Sequence, residues 1–150
     1  MTISASAIKT DFFTAIRALV IANKPTYTFN GSTITYNVEA EYGGENPTFP
    51  MVVVNSSKVK LVLLNLDGSG NDYALETQLD FYAKELHGKK AIEVGQQSLM
   101  ATFIGNIETF NTTDGILPME DFWEDSNIDT FQDKNQLLNT GSSLIRFKLK

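Results

Sequence analysis

The sequence predicts an α+β domain: a mainly antiparallel or mixed sheet of four to five strands, with two helices packed on one face, or three if residues 98–110 are also helical. Three observations predict it. An amphipathic helical stripe opens the chain, an Asn-Gly hairpin follows, and two apolar runs of strand texture come next. At 150 residues the chain has the length of one domain, and residues 1–150 read as a single unit without internal repeat or low-complexity linker.

Residues 7–22 place Ile8, Phe12, Ile16 and Leu19 on one helical face, widened by Phe13 and Val20, with Ser4 or Ser6 as cap and Pro25 beyond the end. TYTF-NG-STITYNV then reads as a two-residue hairpin, because Asn30-Gly31 suits a turn with two positive φ angles. That turn pairs Phe29 with Ser32 and Tyr27 with Ile34, gathering Tyr27, Phe29, Ile34, Tyr36 and Val38 on one face. Phe49–Val54 is a continuous apolar run, hence a central strand with Pro50 tolerated only at its start. Lys58–Leu66 predicts another strand, running into the turn DGSGND. Residues 73–87 show Leu75, Leu79, Tyr82 and Leu86 at helical spacing, with Asp72 as N-cap and Gly88 at C′, and so predict a second helix. Residues 98–110 fit a helix (Leu99, Phe103, Ile107, Phe110) and a strand equally well. Residues 117–135 read as an acidic loop, with six carboxylates (Glu120, Asp121, Glu124, Asp125, Asp129, Asp133) before Lys134. Ser143–Leu149 alternates as a closing strand.

Composition narrows the chemistry. A net charge of −6 makes a phosphate backbone a poor main partner, so no direct nucleic-acid recognition is expected. The absence of Cys excludes disulfides, thiolate nucleophiles and Cys-based metal sites, and a single His leaves no multi-histidine centre. His87 reads as a helix-end residue beside Lys84 and Lys89 rather than a general base, since no nucleophile motif accompanies it. Asp125-x-Asn127-x-Asp129 starts like a calcium loop but carries Thr130 at the sixth position and Gln136 at the twelfth. Asp67-x-Ser69-x-Asn71 fails in the same way, with Asp72 and Gln78. Gly68 and Gly70 complete no phosphate-binding motif. Catalytic, cofactor and metal residues are therefore predicted to be absent, and the protein is expected not to be an enzyme. The first residues carry no signal-peptide pattern and no stretch reaches membrane-span length, so the expected compartment is cytosolic. The sequons at Asn30, Asn55 and Asn111 read as chance.

Aromatic and charged residues of the two long loops are the candidate interface. Tyr42 and Phe49 belong to loop 41–50, and Phe122 and Trp123 to the acidic stretch. Aromatics anchor protein interfaces, although the same residues also fold back as small cores under loops, and both readings stay open. Asp125 and Asp129 stand against the basic C-terminus of Arg146, Lys148 and Lys150 as an opposite-charge pair for neighbouring subunits.

The chain resembles the tail terminator (tail completion) proteins of tailed bacteriophages. The resemblance lies in an N-terminal helix (IKTDFFTAIRALV), a proline-led apolar strand (PTFPMVVVN), a helix of the type ALETQLDFYAKELHG, a glycine-containing segment (VGQQSLMATF) and a final strand (SLIRFKLK). It implies a structural protein of the virion, at the head-proximal end of the tail and in the host cytoplasm during assembly. Six copies would form a ring that ends tail-tube polymerisation and presents the head-docking surface. The implied partners are the chain itself, the tail tube protein and a head connector or stopper protein, with no membrane involved. Another neck protein differs only in partner. A monomeric ligand-binding α+β domain would differ in having a pre-formed cavity, and an enzyme in having a perturbed titratable group in a cleft.

Overall fold

A computed structural model of the chain describes residues 3–42, 47–63 and 71–149. Two 14-residue strands, β6 (Asn71–Lys84) and β9 (Gln136–Leu149), lie antiparallel at the centre, paired from Ala74↔Lys148 to Lys84↔Leu138. Along the far side of β6 run β4 (Met51–Val54) and then β5 (Lys58–Leu63), one path interrupted at residues 55–57. Along the far side of β9 run β7 (Ile116–Asp125) and then β8 (Asp129–Asp133), interrupted at residues 126–128. The short β3 (Asn37–Glu39) adds to β4 in parallel. Seven strands thus occupy five lanes, and the fold is α+β with more strands than the sequence predicts.

Helices α1 (Ile8–Ala22) and α2 (Lys90–Gly105) cover the same sheet face. Of the predicted stripe α1 buries Phe12, Ile16 and Val20, with Ala15 beside them, while Ile8, Phe13 and Leu19 are partly buried against the core. Its start differs: a short 3₁₀ turn, Ala5–Ala7, precedes it, and neither serine caps by its oxygen. Instead the Ser4 amide and hydroxyl both donate to Asp11, each at 3.1 Å.

β1 (Thr26–Phe29) and β2 (Ser32–Thr35) form the expected hairpin in the expected register, with Asn30 at φ 50° and Gly31 at φ 79°. They form a separate two-stranded ribbon rather than part of the main sheet.

The segment read as a second helix is β6. Its residues form helices readily, and two periods coexist in it. The strand period puts Leu75, Thr77, Leu79, Phe81 and Ala83 against the helices, all buried. Helix propensity separates ordinary residues by at most roughly 0.7 kcal/mol each. Burying Leu75, Leu79 and Phe81 contributes about 1.5–3 kcal/mol apiece, so position between two partner strands decides. Asp72 therefore lies within β6 rather than at a helix start, and Leu86, expected on a buried stripe, is 74% exposed.

The second helix falls one segment later and resolves the ambiguity at 98–110 in favour of helix. Leu99 and Phe103 are buried on α2, and Phe110 is buried in the turns that follow it. α2 sits close to the sheet through two glycines. A Cβ on Gly95 would lie 2.9 Å from the Phe81 ring and 3.1 Å from Tyr36, and one on Gly141 would lie 2.8 Å from Ile92.

The acidic stretch is strand rather than loop. Ile116 and Pro118 face the helices at one end of β7 and Trp123 does so past an irregularity, while the carboxylates line an outer edge. Charge along an edge strand discourages uncontrolled pairing, and Pro118 is tolerated there for the same positional reason. Within the turn DGSGND, residues 67–70 lie outside the described residues, as do residues 64–66 of the predicted Lys58–Leu66 strand, residues 43–46 of loop 41–50, and Lys150.

Candidate assembly surfaces

Even-numbered residues of β6 and β9 point away from the helices, and among the described residues no helix covers this open face. At its centre Asp80 collects three donors. Asn55 Nδ2 and Gln78 Nε2 each lie 2.7 Å from its oxygens, and Ser142 Oγ lies 2.5 Å away. The three neutral donors hold the carboxylate without a cation. Two polar depressions open to solvent flank this node. One, of about 250 Å³, is lined by Asn55, Lys58, Glu76, Gln78 and Asp80. The other, of about 320 Å³, is lined by Glu124, Asp125, Ser142 and Arg146. They share Gln78 and Leu144.

Arg146 is the charge centre of the same face. Its guanidinium lies 2.9 Å from Glu124, 3.1 Å from Asp121 and 3.6 Å from Glu76. The hydrogen bond it donates to Glu124, with the charges of Asp121, Glu124 and Glu76, raises its already high pKa further against the effect of burial. The sequence offered Arg146 and the acidic stretch as a pair between subunits, but the fold pairs them within one chain. The physical reason is that β7 and β9 are neighbouring strands, which puts their side chains in reach without a partner. Lys148 lies opposite Ala74 and Leu117 in the sheet and also has an interaction of its own.

The aromatic candidates divide. The Tyr42 ring centre lies 4.7 Å from that of Tyr82, tilted by 44°, and the Tyr42 hydroxyl donates to Asp133 across the open face. Burial and that carboxylate both raise its pKa. Phe49 approaches Tyr42 at 6.3 Å, and Phe131 approaches Tyr82 at 6.0 Å. This cluster lies over the end of the sheet where Met51, Val53 and Leu138 are buried, a small second core. Trp123 approaches Phe103 at 5.9 Å and Phe122 approaches Phe147 at 6.4 Å, so both pack toward the main core. Asp125 accepts from Trp123 Nε1 at 2.8 Å and from Ser143 Oγ at 2.5 Å. Asp129 is exposed on β8, opposite Thr140. Of the eight candidates, the structure brings together Tyr42 with Phe49 and Trp123 with Asp125. It does not gather them into one site. Among the described residues no three His, Asp or Glu side chains converge as a metal set.

His87 lies in a 3₁₀ turn, Glu85–His87, directly after β6, not at the end of a helix. Its ring stacks on Phe29 at 4.1 Å, and its Nδ1 lies 2.5 Å from the Tyr27 hydroxyl. Burial and then Lys84 lower its pKa, while burial pushes Tyr27 up to about 12. Both shifts favour a neutral pair in which the hydroxyl donates to the ring nitrogen. The pair fastens the β1–β2 ribbon to the sheet. Sequence reasoning missed this clasp and the Asp80 node because each joins residues far apart in the chain. The alternation of Glu76, Gln78 and Asp80 was the one available signal for the node.

Exposed large apolar side chains include Ile21 and Ile104, near the ends of α1 and α2, and two leucines around that turn. Leu86 is 74% exposed beside His87, and Leu137 is 51% exposed at the start of β9. No protein-family model matches the chain, and no curated protein matches it.

Proposed function

We propose that the chain is a structural virion assembly protein whose subunits join in a hexameric ring, capping the tail tube, ending its polymerisation and forming the surface to which the head docks. The observation that carries this reading is where the molecule leaves apolar surface uncovered. Its interior is closely packed, with Phe12, Phe81, Phe103 and Phe147 fully buried. Its depressions are open rather than enclosed, including a mostly apolar one of about 280 Å³ lined by Ala15, Ala18, Leu19 and Phe110. Its exposed apolar side chains lie at the periphery instead, Leu86 and Leu137 at one rim beside a ribbon outside the main sheet, and Ile21 and Ile104 on the two helices. A small-molecule site calls for a concave, mostly apolar cavity, whereas an assembly subunit needs complementary patches at its periphery.

The order of elements supports the same reading in part: a helix, strands, a second helix and then strands ending in β9, although the ALETQLDFYAK segment is strand and the second helix comes one segment later than in the resemblance. The titratable groups with raised or lowered pKa also favour it over catalysis. The four tyrosines and His87 serve packing and clasps, and Arg146 is neutralised by carboxylates.

Electron microscopy of the concentrated protein, alone and mixed with the tail tube protein of the same particle, tests the proposal. Rings with a central opening, found at tube ends in the mixture, are expected. Particles of single-subunit size that neither associate nor bind tubes would refute it.

A further inference from the structure

We infer that the two long edges of the sheet are complementary, so that the β7 edge of one copy seats against the β5 edge of the next. This inference rests on the ring reading and names the contact that would build the ring. One row of side chains crosses the open face from edge to edge. Lys58 on β5 lies opposite Glu76 on β6, and Glu76 lies opposite Arg146 on β9. Arg146 in turn binds Asp121 and Glu124 of β7. The signs therefore alternate across the subunit, beginning positive at one edge and ending negative at the other.

Both ends are strengthened by exposed neighbours, Lys60 on β5 and Glu120 on β7. Among the described residues β5 pairs only with β6, and β7 only with β9, so each strand keeps one edge unpaired. Arg146 neutralises only part of the acidic edge, and Asp121 and Glu124 remain well exposed beside it.

A second copy of this chain is the occupant that continues the alternation. Placing Lys58 and Lys60 of one subunit beside Glu120 and Asp121 of the next extends the row without a like-charge step. Such a contact joins two different patches, so it is heterologous and generates a ring when the rotation closes. It also steers association and weakens with salt, because both ends are solvated.

The test uses the full chain and its lack of cysteine. Lys58→Glu with Lys60→Glu, and separately Glu120→Lys with Asp121→Lys, should each shift a low-salt assembly to single-subunit mass. Combining all four should restore assembly, a result that misfolded variants could not give. Lys60→Cys with Glu120→Cys, treated with a short bismaleimide, should give a ladder of covalent multimers, and each single cysteine should not. An assembly that keeps its mass in both reversal variants and forms no ladder overturns the edge pairing and leaves the ring standing. A protein that stays monomeric at millimolar concentration and low salt, with no ladder, overturns both.

Discussion

Gly95→Ala tests the helix–sheet contact that holds the fold together. Gly95 is buried in the middle of α2, where alanine is favoured over glycine by about 0.8–1 kcal/mol. That gain is opposed by sterics. The new methyl would lie 2.9 Å from Phe81 Cδ1 and 3.1 Å from the Tyr36 ring. Neither ring can retreat cheaply. Phe81 is fully buried, and Tyr36 is tethered by its hydroxyl to the Ala91 carbonyl at 2.7 Å. Forcing an extra carbon into a packed core costs about 1–3 kcal/mol. The balance is a loss of up to about 2 kcal/mol, a fall in Tm of roughly 2–4 °C per kcal/mol for a chain of this size. Gly105→Ala is the control, because at the last residue of the same helix the added carbon meets nothing within 4 Å. Urea titrations of the two variants read the difference directly. A Gly95→Ala protein as stable as Gly105→Ala would refute the close approach of α2 to the sheet.

Other consequences follow from the same contacts. Tyr36→Phe removes the donor to a buried carbonyl and should cost about 1–3 kcal/mol in chemical denaturation without changing the secondary structure seen by circular dichroism. His87 has a lowered pKa when folded, so folding favours its neutral form. The stability tied to that form is full above the ordinary value of 6.5 and is lost as pH falls from there toward the lowered value. His87→Gln should flatten that part of the stability profile measured across mildly acidic pH. Arg146→Met leaves Glu76, Asp121 and Glu124 facing one another on a solvated face. It should destabilise by about 1 kcal/mol at low salt, and the loss should shrink as salt rises in paired denaturation curves.

Legibility in the sequence followed the range of the interaction involved. The Asn30-Gly31 hairpin was legible to its register because the turn is local. The α1 stripe was legible because four of its apolar residues share one face at 3.6-residue spacing. β6 was misread because Leu75, Leu79, Tyr82 and Leu86 imitate a helix. What selects the strand is pairing with β4, β5 and β9, whose residues lie elsewhere in the chain. β7 and β8 were misread as loop because their acids obscured the inward positions of Ile116, Pro118 and Trp123. The candidate surface divided in the same way. The acidic character of 117–135 was plain in the sequence, but its partner was not. Arg146 satisfies Asp121 and Glu124 only because β9 lies beside β7. Lys58 gains its place opposite Glu76 only because residues 55–57 interrupt one lane of the sheet.

The central claim is that this subunit builds a ring from copies of itself. Its most direct test is solution mass by light scattering after gel filtration, at high protein concentration and low salt. The account predicts a species near six times the 16.6 kDa subunit that dissociates as salt is raised. A strict monomer across the whole concentration range would contradict it.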